Sequence, residues 1–297
     1  MKKSNETKSQ TRLIACDSNI IFDVLVILML LFSLIYGYIS SNKNVDSNSV
    51  VVKTLSYLCA PLSVIVAISL LSVRKRYNVF IELTCEKEDK ITLLATLLIT
   101  VGMIFGLSEL NGKFVEFLNL LGLKSKEIVL PKKSTLSVIM VIVFVCILPS
   151  ICEEMFFRGI IIKSLKSTGE VFAIILSGLM FSLFHMSAQQ TIYQFIVGAL
   201  YAFIVLRGGS WVLTTISHFI NNFFIIINYY FLSFYPTGIL KYLLIVIGLI
   251  SLLAGVYLLY KNKKEIKVLE SKKDAFLGIP IGIIACVIMW VAGLVLA

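Results

Sequence analysis

The sequence predicts an all-α fold, a polytopic transmembrane helical bundle of eight or nine helices, on three observations. Its composition is 58% hydrophobic with a mean hydropathy of +0.95, too apolar for a soluble domain of 297 residues. Apolar runs near the roughly 20 residues needed to cross a bilayer recur from end to end. Most lysines and arginines fall in the connections between those runs, where anionic lipid is the natural partner.

Taken in order, the first run occupies residues 20–39, behind a polar head of residues 1–19. It is too long for a signal-peptide core and lacks a small-residue exit, so a permanent span is expected. Runs at 55–73 and 91–107 follow. Residues 112–133 form the longest connection, in which Phe114, Phe117, Leu118 and Leu121 recur at helical spacing, predicting an amphipathic helix that lies on the membrane surface. Runs at 136–165, 171–185, 192–206, 211–232, 239–260 and 275–297 complete nine, or eight if the short fifth and sixth do not both cross. With nine crossings and the N-terminus inside, eighteen Lys and Arg residues fall on the inner side against eight outside, Arg158 being set aside as intramembrane. That bias predicts a multi-pass protein of the cell membrane with a cytoplasmic N-terminus, residues 20–297 forming a single transmembrane domain.

The formal charge of +10 does not indicate a nucleic-acid partner, because the charges are spread over short loops; the expected partners are the lipid bilayer and a membrane-associated substrate. The six cysteines include no C-x-x-C pair, and four lie inside apolar runs. They read as small buried hydrophobes, not as a disulfide framework or a zinc site.

The fourth run is broken by Glu153, Glu154 and Arg158. A charge at mid-bilayer depth costs at least ~2.5–3.5 kcal/mol, so such side chains face a bundle interior or a wet cavity and serve a function there. Glu154 and Arg158 are four apart and share a helix face, which predicts an ion pair. Glu153 lies about 140° from Arg158 on the wheel and is left free for chemistry. Pro149, just upstream, lacks an N–H and predicts a carbonyl without its helical partner one turn back.

The chain has only two histidines, His185 and His218. Phe181 lies one turn before His185, and Asn222 one turn after His218. At 1.5 Å per residue from the inner helix ends, Glu153, His185, His218 and Asn222 fall at depths of about 18, 21, 10 and 16 Å, compatible with one cavity inside the membrane. The set suits peptide hydrolysis: Glu153 as the base that activates water, His185 positioning that water, His218 and Asn222 donating to the oxyanion. Glu154 and Arg158 are expected to support the site, and Phe181 to pack around it. Asn221 is an equally polar neighbour of Asn222.

These residues resemble the motifs of the type II CAAX prenyl protease family and its bacterial relatives linked to bacteriocin processing and self-immunity. The E-E-x-x-x-R motif is Glu153-Glu154-Met155-Phe156-Phe157-Arg158, the F-x-x-x-H motif is Phe181 to His185, and the H-x-x-x-N motif is His218 to Asn222. The turn from Arg207 to Trp211 also resembles the family's. The resemblance covers about residues 149–222 and marks 136–232 as a catalytic core. It implies an intramembrane glutamyl endopeptidase without a cofactor, the first glutamate and first histidine activating water while the second histidine and the asparagine hold the oxyanion. Three other readings stand beside it: a zinc-dependent protease using Glu153, His185 and His218 as ligands, a non-catalytic immunity or scaffold protein, and a transporter whose intramembrane charges bind an ion.

Overall fold

A computed structural model describes residues 13–42, 46, 49–75, 88–124, 130–262, 266–276 and 280–295. The predicted polar head therefore lies largely outside the described residues. All elements among those described are helical: α1 (Ala15–Ser40), α2 (Val50–Lys75), α3 (Lys90–Val101), α4 (Leu110–Leu120), α5 (Thr135–Thr168), α6 (Glu170–Phe184), α7 (Thr191–Leu206), α8 (Trp211–Ile227), α9 (Gly238–Lys261) and α10 (Ile281–Val295). Each of the nine apolar runs has become a helix because, in lipid, backbone N–H and C=O groups must be satisfied within the segment. Among the described residues, seven stretches are long and apolar enough to cross a membrane, while α6 and α10 are shorter. The sixth run, expected to be short, is extended by a tight turn at Ala188–Gln190, whereas the last is shortened at its start, where Pro280 immediately precedes α10.

Polar contacts between helix ends fix the alternation of direction. Arg207, at the end of α7, pairs with Glu170 at the start of α6 through two contacts of 2.5 and 2.8 Å, and also donates to the Tyr260 carbonyl near the end of α9. Asn262 donates to Asp89, the N-cap of α3, at 3.0 Å, and Ser210, the N-cap of α8, bonds Glu88. Glu270 accepts from the Ala15 N–H at the start of α1 (2.7 Å) and from Ser167 at the end of α5 (2.6 Å). One end of the bundle thus gathers the starts of α1, α3, α6 and α8 with the ends of α5, α7 and α9, as successive crossings require. Gly169 and Gly208, with φ of 108° and 112°, make the tight turns between α5 and α6 and between α7 and α8.

Two expectations change. Helix α1 begins at Ala15, inside the predicted polar head, and Asp17, Ser18 and Asn19 are buried. Asp23, also on α1, accepts the Gly282 N–H at 2.6 Å, so a side chain of α1 satisfies one of the free donors at the start of α10. The amphipathic segment is a helix, but it follows directly on α3 and its apolar stripe divides. Leu118 is buried with Phe114 against Ala188, Trp290 and Leu294, whereas Phe117 and Leu121 point away, 53% and 60% exposed. Residues 114 and 118 stack on one side and 117 and 121 on the next, so protein covers only half the stripe.

The core forms around the second half of α5. From Cys152 to Leu165 nearly every residue is buried, whereas the other helices leave large apolar side chains such as Leu34, Val73 and Leu253 on the outside. The acids lie at the start of this enclosed half of α5.

Candidate active site

Helix α5 is irregular where it carries the charged residues. Wide π-type turns at Ile142–Ile147 and Phe157–Ile161 bracket the α-helical stretch Leu148–Phe156, and such turns mark functional sites in many helices. In an α-helix the Val145 carbonyl would take the N–H of residue 149, which Pro149 lacks. It takes the Asn222 side chain instead, Nδ2 donating at 3.2 Å, while Ser150 Oγ serves the neighbouring Cys146 carbonyl at 2.6 Å. The proline therefore binds α8 to α5.

Glu154, Arg158 and His218 form the centre. Glu154 Oε1 lies 3.0 Å from His218 Nδ1, and Glu154 Oε2 lies 3.0 Å from Arg158 Nε. The second contact is an ion pair by distance only, since its N–H does not aim at the oxygen and neither atom completes a hydrogen bond. Arg158 Nη2 donates to the Gly198 carbonyl on α7 at 3.2 Å, and its guanidinium lies over the rings of Phe181 (4.5 Å) and Tyr201 (5.2 Å). Both charged side chains are fully enclosed, so their mutual neutralisation and the aromatic faces must replace water.

Phe181 joins the two imidazoles. Its ring centroid is 5.0 Å from that of His185 and 6.1 Å from that of His218, and Tyr201 covers His218 from 5.9 Å. The close crossing of α6 and α7 allows this: a Cβ built at Gly198 would lie 3.0 Å from Gly178 Cα and from Phe181. Tyr201 is held in turn through Ser217. Ser217 Oγ donates to the Tyr201 hydroxyl (3.3 Å) and lies 2.6 Å from Thr100 Oγ1, which donates to the Thr96 carbonyl.

His185 ends α6, and Met186 follows in a left-handed conformation with φ 47°. His185 Nδ1 lies 2.8 Å from the Phe181 carbonyl, which can only accept. Nδ1 therefore carries the hydrogen, and in the neutral ring Nε2 is left as an acceptor. Glu153 is buried, and its Oε2 makes no hydrogen bond among the described residues, a condition that in a native protein calls for a functional or solvent partner.

Asn222 faces two neighbours. Besides donating to Val145, its Oδ1 lies 3.5 Å from Asn221 Nδ2, and Asn221 Oδ1 accepts the Tyr193 hydroxyl at 2.7 Å. The Tyr193 backbone N–H reaches Asn111 Oδ1 on α4 at 3.3 Å. Sequence reasoning did not find Tyr193, Tyr201 or Gly198. Gly178 and Gly198 carried a signal, since small residues in apolar helices permit close approach; Tyr193 carried none.

The structure thus brings Glu154, Arg158, His218, Phe181 and His185 into one contact set, with Asn222 on the same helix face as His218 and Glu153 beside Glu154. Among the described residues, no group of three or more His, Cys, Asp or Glu side chains stands together as a metal-holding set.

This is a polytopic helical membrane protein with a buried carboxylate–imidazole cluster built from three helices. Residues 135–224, from the start of α5 into α8, match the model of the Rce1-like family, described as type II CAAX prenyl endopeptidase Rce1-like. The matched segment is under a third of the chain and contains all three motifs. It is a family of proteases, which supports an endopeptidase activity in general terms. No curated protein and no solved structure matches the chain.

Proposed function

We propose that this chain is an intramembrane glutamyl endopeptidase that hydrolyses peptide bonds of membrane-associated peptides or proteins without a metal, residues 136–232 being its catalytic core. The observation that carries the reading is the 3.0 Å contact between Glu154 and His218, with the adjacent residue Glu153 holding a buried oxygen that makes no hydrogen bond among the described residues. In this reading Glu153 takes a proton from water as the water oxygen adds to the scissile carbonyl. His185 Nε2 accepts the water's other hydrogen and aims its lone pair. His218 donates Nδ1–H to Glu154, and as the imidazolium it presents Nε2–H to the oxyanion. Asn222 has a second amide hydrogen beyond the one given to Val145 and supplies the other donor. Glu153 then returns its proton to the leaving amine. Glu154 and Arg158 act as positioning residues, and Phe181 holds both imidazoles.

The orientation belonging to this proposal has the N-terminus in the cytoplasm and the chain in the cell membrane, and its biological settings include peptide or bacteriocin processing and self-immunity. The test is comparative proteomics of membrane peptides from cells carrying the wild type and Glu153→Gln. Cleavage products present with the first and absent with the second are expected, and the same products should form in the presence of chelator. Identical peptide populations would overturn the reading. Immunity that survives both Glu153→Ala and His218→Ala would replace it with a non-catalytic role.

A further inference from the structure

We propose that Tyr193 and Asn221 are positioning residues that set the Asn222 carboxamide, and that α4 reaches the site through them. The inference rests on the reading of Asn222 as an oxyanion donor. The Val145 carbonyl at one end of the chain of contacts can only accept, so Asn222 must turn Nδ2 toward it and Oδ1 away. Oδ1 then needs a donor, and Asn221 Nδ2 faces it. With Nδ2 so directed, Asn221 Oδ1 points to the Tyr193 hydroxyl, which donates to it at 2.7 Å.

The opposite sense fails at every step. Reversing Asn221 would set its carbonyl oxygen against that of Asn222 and leave the phenol hydrogen without its acceptor. Reversing Asn222 as well would set two carbonyl oxygens together at Val145. One arrangement is therefore self-consistent, and it leaves one Asn222 N–H uncommitted.

The phenol is fixed from its other end. Tyr193 lies in the first turn of α7, where backbone N–H groups lack helical partners, and its N–H takes Asn111 Oδ1. Asn111 shares a face of α4 with Phe114 and Leu118, the pair packed against Ala188 and Trp290. The surface helix thus anchors the tyrosine that orients the asparagines.

The experiment compares wild type, Glu153→Gln, Tyr193→Phe, Asn221→Leu, Asn222→Ala and the double variant Tyr193→Phe/Asn222→Ala. Each is expressed as the full chain in cells and then purified into phosphatidylglycerol-containing nanodiscs. Glu153-dependent membrane peptides are quantified first, and the most abundant is then used as the kinetic probe. Tyr193→Phe and Asn221→Leu are expected to lower kcat about 10- to 100-fold with KM nearly unchanged. The double variant should be no slower than Asn222→Ala alone, because the hydroxyl acts only through that amide. Thermal midpoints should stay close to wild type.

Additive losses in the double variant, wild-type turnover of Tyr193→Phe, or loss of fold in Tyr193→Phe would each overturn the inference while leaving the hydrolase reading intact. Absence of any Glu153-dependent peptide would overturn both.

Discussion

Glu154 Oε1 lies 3.0 Å from His218 Nδ1, joining α5 to α8 across 64 residues of chain. The same carboxylate faces Arg158 one turn further along its own helix. A single side chain therefore neutralises a buried cation and orients an imidazole.

Removing that carboxylate separates the two roles. Glu154→Gln leaves the guanidinium enclosed without its counter-charge, which costs about 3–5 kcal/mol. A lower thermal midpoint in nanodiscs is expected, and Glu154→Gln/Arg158→Met should recover most of it, since neither charge remains. Peptide hydrolysis should be lost in both variants. Its return in the double variant would show that Glu154 serves the fold and not the imidazole.

Gly198→Ala tests the ring between the histidines. The new methyl group presses on Phe181 and Gly178 at 3.0 Å, and such crowding costs about 1–3 kcal/mol. Gly178→Ala meets Phe195 and Ala199 instead at 3.0–3.2 Å. Similar melting shifts are expected for the two. Turnover should fall about 10- to 100-fold only for Gly198→Ala, because displacement of Phe181 moves both imidazoles.

Pro149→Ala supplies the N–H that the Val145 carbonyl lacks. The backbone donor should compete with Asn222 for that carbonyl, leaving thermal stability equal or higher. A drop of roughly tenfold in kcat, with little change in KM, is expected on a confirmed peptide substrate. Unchanged kcat would show that Val145 does not hold the asparagine in its working orientation.

Asp89 gives a pH dependence outside the spans. The Thr92 backbone N–H, helped by the Asn262 and Thr92 side chains and the Ile91 N–H, holds its carboxyl below the ordinary 3.8 against the opposing effect of burial, which is second only to the Thr92 N–H in size. A depressed carboxyl contributes stability that is complete above its unfolded pKa and lost as pH falls through the folded one. Asp89→Ala should destabilise by about 1 kcal/mol at neutral pH, the usual worth of an N-cap. The difference in melting temperature from wild type should stay constant from about pH 5 to 8 and close below about pH 4. A gap that persists in acid would assign the effect to packing.

Much of this arrangement can be read directly from the residues, and the exceptions have physical reasons. The helices follow from apolar length, because lipid leaves a backbone no alternative. The Glu154–Arg158 pair follows from i, i+4 spacing, and the partnerless carbonyl follows from Pro149. What the spacing does not contain is the identity of partners on other helices. It separates Glu153 from the ion pair but does not reveal that Glu154 also holds His218. It marks Phe114 to Leu121 as apolar without telling which half meets protein and which half faces outward. The contact of Asp23 with Gly282 joins residues near opposite ends of the chain, and no local pattern marks it. Tyr193 looks like one more aromatic residue in an apolar helix.

Glu270 and Gly282 follow α1 to α9 in the sequence, yet they satisfy groups far upstream: the Ala15 N–H, the Ser167 hydroxyl and the Asp23 carboxylate. During translation those groups wait through the insertion of every intervening helix. The Ser167 end of α5, the helix that carries the acids, is therefore secured only when α9 has emerged and Glu270 has folded back against it. A ribosome-bound chain stalled before residue 270 lacks that closure, so maturation of the site waits on synthesis past that residue.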